Sequence, residues 1–154
     1  MKVALVNPAW RYDGSIYFGC REAHLPLEFG YARRFLIDGG HEVLMLDGQL
    51  QGLDAEALAA RVAAFAPELT VVTTAPTYLF WRCAPPELRV PAEFLSALAG
   101  RGGATLAVGP HAAVTPAAAL RKLGVDQVIR GECEDEIAAI ASAMARGEDP
   151  RAVP

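Results

Sequence analysis

Five short apolar runs recur along the chain, each bounded by turn residues: Val3–Val6, Val43–Leu46, Leu69–Thr73, Thr105–Val108 and Gln127–Ile129. They are rich in β-branched residues and apolar at successive positions, so each strand is expected to be covered on both faces. Helical periodicity fills the gaps. Leu27–Ile37 carries apolar residues at Leu27, Tyr31, Phe35 and Leu36 and stops at Asp38-Gly39-Gly40. Asp54–Phe65 opens on an Asp suited to N-capping and holds Leu58, Val62 and Phe65 on one side. Pro91–Leu98, Pro116–Leu123 and Glu134–Met144 complete the set, two of them starting with Pro at a first helical position. Five β-α repeats predict an α/β fold: a right-handed, doubly wound parallel sheet between two helical layers.

The strand tips are the places to look for chemistry, because ligands of such sheets bind just beyond the carboxyl ends. Two strands end in backbone-permissive or charged residues, Gly109-Pro110-His111 and Arg130-Gly131-Glu132. Asp47 ends the second strand, where an acid meets a polar ligand group or caps the following turn; the capping role is the simpler expectation. Two connections at that edge exceed the usual βα length of about 2–6 residues. Pro8 to Pro26 contains Trp10, Tyr12, Tyr17 and Phe18; Ala75 to Val90 contains Tyr78, Phe80 and Trp81. Residues 1–146 read as one domain, and 147–154, with Gly, Asp and two Pro, as the start of a linker to a further domain.

Composition narrows the partners. The 154 residues are 53% hydrophobic and 21% charged, which suits a packed core. With 14 basic against 18 acidic residues, net −4 and no basic tract, neither nucleic acid nor a membrane surface is the expected partner. No apolar run has the length of a membrane span. Cys20, Cys83 and Cys133 are scattered and odd in number, so a reducing, cytoplasmic setting is expected and no disulfide framework.

Common nucleotide sites are excluded by what the first strand runs into. It leaves as Asn7-Pro8-Ala9-Trp10, with neither G-x-G-x-x-G nor G-x-x-x-x-G-K-[ST]. A phosphoacceptor receiver would need Asp where Thr73 and Thr74 stand. The histidines lack metal-ligand spacing: His41 reads as a surface turn residue, His24 lies in the first long loop, and His111 is placed beyond strand four. The three cysteines have no base nearby in sequence and read as inert. Glu134, Asp135 and Glu136 fit a helix first turn, where acids complement the macrodipole; Glu132, at the turn itself, is the exception among them.

In their order along nearly the whole chain, several segments resemble the N-terminal cobalamin-binding domain of B12-dependent radical SAM enzymes. They are Val6-Asn7-Pro8, Leu25-Pro26-Leu27-Glu28-Phe29-Gly30-Tyr31-Ala32, Gly39-Gly40-His41-Glu42-Val43 ending in Asp47, Ala66-Pro67-Glu68-Leu69 leading to Thr73-Thr74, Val108-Gly109-Pro110-His111, and Asp126 to Glu132. The resemblance implies a flavodoxin-like, Rossmann-like five-stranded sheet with the cobalamin tail along its carboxyl edge. It places cofactor-binding positions at Asn7, Trp10, Asp47, Thr73, Thr74, Tyr78, Gly109, Pro110, His111, Gly131 and Glu132. The family's Gly pair after strand four falls on Val108 and Gly109, so the first glycine is replaced. The D-x-H-x-x-G motif that supplies a lower cobalt ligand is absent; Asp47-Gly48-Gln49-Leu50-Gln51-Gly52 has its spacing, but with Gln for His and in the wrong loop. The implied corrinoid is base-off without His coordination, with Trp10, Tyr12, Tyr78, Trp81 or Arg82 available to its lower face.

The resemblance implies further that a downstream radical SAM domain carries S-adenosylmethionine and a [4Fe–4S] cluster, and that the whole enzyme is of methyltransferase type. The chain has no C-x-x-x-C-x-x-C, so it contributes binding and orientation and no catalytic or metal-ligating residue of its own. The alternative readings are a degenerate Rossmann-like docking domain that binds no corrinoid, and a stand-alone enzyme for a small phosphorylated substrate, against which the missing phosphate loop counts.

Overall fold

Side chains alternate across a strand, and here the alternation sorts the core into two halves. Val3, Leu5, Val71, Leu106 and Val108 pack against one helical layer, while Ala4, Val6, Val72 and Ala107 pack against the other. The computed structural model describes residues 1–10, 26–75 and 88–153. Its strands are β1 (Lys2–Asn7), β2 (Glu42–Asp47), β3 (Leu69–Thr73), β4 (Ala104–Val108) and β5 (Gln127–Val128). They form one parallel sheet in the order β2-β1-β3-β4-β5. That order is flavodoxin-like, with its switch point between β1 and β3, where ligands of such folds enter.

The helices are α1 (Leu27–Asp38), α2 (Ala55–Phe65), α3 (Arg89–Leu98), α4 (Pro110–Val114), α5 (Pro116–Leu123) and α6 (Glu134–Ala145). Helices α1 and α6 cover one face through Phe29, Ala32, Leu36, Ile137 and Ile140. Helices α2, α3 and α5 cover the other through Leu58, Val62, Phe94, Leu98 and Ala119. Asp54 caps α2, its carboxylate accepting from Ala57 N at 2.9 Å. No helix among the described residues is long and apolar enough to cross a membrane.

Two local features depart from expectation. The short α4 was not foreseen: Pro110 opens a helical turn directly after Gly109, which places His111 inside a helix. His41, expected in a surface turn, is buried; its Nε2 meets Ser142 Oγ of α6 at 3.2 Å, and its Nδ1 has no partner among the described residues. The cause is the Gly39-Gly40 turn, which brings β2 in under α6. After α6 the chain folds back on the domain: Glu148 N bonds Ala143 O, and Val153 packs against the α1/α6 core.

Candidate functional site

Register places four side chains level on the last rung at the carboxyl edge. Asn7 pairs with Asp47, Val6 with Val72, and Thr73 with Val108. Across the sheet the rung reads Asp47, Asn7, Thr73, Val108. By strand alternation all four face the α1/α6 layer, as Leu5, Val71 and Leu106 do two residues earlier. All four are buried.

Asn7 is the hub of the first three. Its Oδ1 accepts from the Trp10 indole Nε1 at 2.8 Å and from Thr73 Oγ1 at 3.1 Å. Its Nδ2 donates to Asp47 Oδ2 at 3.1 Å. Asp47 Oδ1 in turn accepts from Leu50 N at 2.9 Å, so the acid caps its turn and orients the amide together. Only an amide provides acceptor and donor in this arrangement, and burying those polar groups unpaired would be expensive. Trp10 is buried over this network.

The β4 side is built through backbone. Gly109 has φ +101° and ψ −170°, a region open essentially to glycine, and a Cβ there would lie 2.9 Å from Thr74 Oγ1. That close approach lets Thr74 Oγ1 donate to Val108 O at 2.8 Å and accept from His111 N at 3.3 Å. His111 Nδ1 lies 3.0 Å from Thr74 O. A carbonyl only accepts, so Nδ1 carries the proton in this contact.

Beyond these tips lie two clefts. One, of about 10 Å³, is lined by Glu28, Gly109, Gly131, Glu132, Cys133 and Glu134 among others. Burial pushes the Glu28 carboxyl above its usual range, and the Glu134 charge adds to this, although a backbone hydrogen bond pulls it down. Burial, with the Glu134, Glu28, Glu136 and Asp135 charges behind it, pushes the Cys133 thiol up to about 12, so it is no nucleophile at neutral pH. The other cleft, of about 260 Å³ on the α2/α3 side, is lined by Pro8, Ala9, Asp54, Glu56, Arg89 and Glu93 among others. Arg89 approaches Glu93 at 3.7 Å.

The expected site residues therefore fall into two groups: Asn7, Trp10, Asp47 and Thr73 in one network, and Thr74, Gly109, Pro110, His111, Gly131 and Glu132 around the β4 and β5 tips. Tyr78 lies outside the described residues, as do His24, Tyr12, Trp81 and Arg82. Sequence reasoning missed Glu28 as a lining residue, together with Asp54, Glu56 and Glu93 of the α2/α3 cleft. The sign that could have found Glu28 is an acid in the first turn of α1, whose start sits at the same edge. Among the described residues no cluster of His, Cys, Asp and Glu could hold a metal ion.

A corrinoid's demands on this edge divide in two. A flat ring lying over small tips suits Gly109 and Gly131, where a Cβ on Gly131 would meet nothing within 4 Å. A tail beside it would meet the Thr73 and Thr74 hydroxyls, which donate within the protein and, while those bonds hold, can only accept from it.

No family model and no curated protein sequence matches the chain. Among solved structures it is similar to the radical S-adenosylmethionine methyltransferase TsrM from Kitasatospora setae. With tryptophan substrate and the SAM analogue aza-SAM bound, that structure matches at TM-score 0.73 and 21% identity, over 99% of this chain and 27% of that one. The same enzyme with cobalamin and a [4Fe–4S] cluster bound matches at TM-score 0.73 and 22% identity, over 99% and 26%. The chain thus spans about a quarter of its structural neighbour, and the likeness establishes the five-stranded, three-layer αβα fold.

Proposed function

We propose that this chain is the cobalamin-binding module of a B12-dependent radical SAM enzyme, of methyltransferase type. The observation that supports this most is that the neighbouring structure, matched over 99% of this chain, has cobalamin bound. The ordered sequence resemblance supports the same reading independently. The corrin ring would lie across the tips of β1, β3, β4 and β5, with Asn7, Trp10 and Thr73 beneath one side and Gly109, Pro110, His111, Gly131 and Glu132 along the other.

Bound there, cobalamin would supply the methyl-carrying cobalt chemistry, while S-adenosylmethionine and the [4Fe–4S] cluster belong to a downstream radical SAM domain. The chain's own part is to bind and orient. Asn7 fixes the Trp10 indole, and Thr74 fixes His111 with its proton on Nδ1. The corrinoid is read as base-off and without a His ligand, since D-x-H-x-x-G is absent.

The test is direct. Mixed with hydroxocobalamin and desalted, the protein should retain corrinoid and show a base-off visible spectrum. Complete loss of colour would overturn the proposal in favour of a docking domain that binds no corrinoid.

A further inference from the structure

The two outer strands of the sheet are finished differently. Strand β5 is two residues long, and the returning Pro150, Arg151 and Val153 line the cleft beside Gln127 and Val128. Strand β2 is six residues long and pairs only with β1 among the described residues. Its Val43, Leu44 and Met45 stay half-buried although helices cover both faces, whereas Val3–Val6 of β1 are fully buried. Proteins blunt such an edge with Lys, Pro, a bulge or a covering segment. Val43-Leu44-Met45-Leu46 carries no charge, no Pro and no Gly, and its register with β1 is unbroken from Glu42 to Asp47.

Backbone direction shows what this edge offers. In a parallel ladder, alternate residues of a strand bond toward the same neighbour. Glu42 N bonds Met1 O and Gly48 N bonds Asn7 O, so Glu42, Leu44 and Leu46 turn their backbone groups toward β1. Val43 and Met45 therefore turn theirs outward, two N–H donors and two C=O acceptors with no strand beside them among the described residues. That set is self-complementary. Under a two-fold axis through Leu44, an antiparallel copy sets Val43 against the partner's Met45, and Met45 against the partner's Val43. Each pair exchanges two bonds, which satisfies all four groups on each chain. The same axis puts Glu42 opposite the partner's Leu46 and Asp47 opposite the partner's His41, so no acid faces an acid. Helix α1 extends the apolar surface. Ile37 is about two and a half turns from Glu28, hence on the opposite side of the helix, and Glu28 meets the start of α6. Ile37 thus lies on the flank away from α6 and is 40% exposed.

We propose that β2 is a docking edge for a second copy of this chain. The two β2 strands pair antiparallel about a two-fold axis at Leu44 and join two five-stranded sheets into one. Four interchain backbone bonds hold the centre, and Leu44 faces the partner's Leu44 across the axis. A two-fold contact uses up the edge on both chains, so association closes at the dimer. The pairing does not depend on the corrinoid reading.

Sedimentation velocity of the 154-residue protein, run from low to high micromolar concentration, should show a monomer–dimer equilibrium. A monomer throughout overturns the proposal. Leu44→Lys sets two ammonium groups face to face at the axis and should raise the dimer dissociation constant about tenfold or more, as should Leu44→Glu with two carboxylates. Mixing the two variants should restore the dimer, because the opposed charges then attract. An unchanged constant in either folded variant, or a mixture that stays monomeric, overturns the axis at Leu44. If circular dichroism shows that a variant does not fold, hydrogen exchange of the unaltered protein decides. The Val43 and Met45 amides should be protected in the dimer and lose that protection on dilution; equal exchange at both concentrations overturns the pairing.

Discussion

The two halves of the carboxyl edge solve the same problem with different materials. On the β2-β1-β3 side, buried polar side chains satisfy one another around Asn7, and no backbone strain is needed. On the β4 side the work passes to backbone: Gly109 takes a conformation that L side chains rarely adopt, so that the Thr74 hydroxyl can join Val108 O to His111 N. The first half is specified by side-chain chemistry from three chain segments. The second is specified by one missing Cβ. The difference predicts that the halves fail differently when altered.

The largest effect is expected at the hub. Asn7→Asp puts a second buried carboxylate against Asp47 and removes the only donor between them, which should cost about 3 kcal/mol or more. Thermal unfolding should fall by roughly 10 °C, and Trp10 fluorescence should shift as a carboxylate replaces the amide oxygen at its indole N–H. Gly109→Ala should follow, at about 2–3 kcal/mol, from positive φ and the 2.9 Å approach to Thr74 Oγ1. Gly131 shares the positive φ, at +95°, but a Cβ there would meet nothing within 4 Å, so Gly131→Ala should cost less than Gly109→Ala; equal costs would show that the approach to Thr74 adds nothing.

The threonine pair sharpens it. Thr74→Val removes two bonds and should cost about 1–2 kcal/mol, whereas Thr73→Val removes one from an oxygen that keeps Trp10 and should cost less, about 1 kcal/mol. Denaturant midpoints of the two variants test the order.

Two titrations give the smallest effects. Burial holds His41 below its ordinary range, the N-terminal ammonium lowering it further against Glu68. A base with a depressed pKa stabilises the fold above its unfolded value of 6.5, and this contribution is lost as pH falls through the folded value. Stability should decline from pH 7 toward 5, and His41→Gln should flatten that slope. Glu28 runs the other way: its raised pKa gives stability below 4.5 that is lost as pH rises through the folded value. Glu28→Gln should therefore raise the unfolding temperature at pH 7 by about 1–3 °C and leave it unchanged near pH 4.

Among the described residues, hydrophobic period and turn residues are enough to read every strand and five of the six α-helices within two residues of their observed ends. Each of those elements is declared by its own segment: an apolar β-branched run, a Pro or Asp start, a Gly stop. The exception, α4, is too short for period to show, and only the Gly109 turn reveals it. Asp47 was legible as a turn cap, because that contact is made three residues away. His41 was misread, because what buries it is α6, about a hundred residues further along.

What the sequence determined alone is the order of the elements, the fold class they compose, and the edge at which small and polar tips collect. What only the tertiary structure decided is which of those tips share a rung. Asp47, Asn7, Thr73 and Val108 come from four strands separated by long connections, and the pairing register brings them level. Register is fixed by which residues both helical layers can bury at once, a property of the assembled sheet and not of any single strand. Within that assembly Val108, where the sequence replaces a glycine, is a buried member of the α1/α6 core.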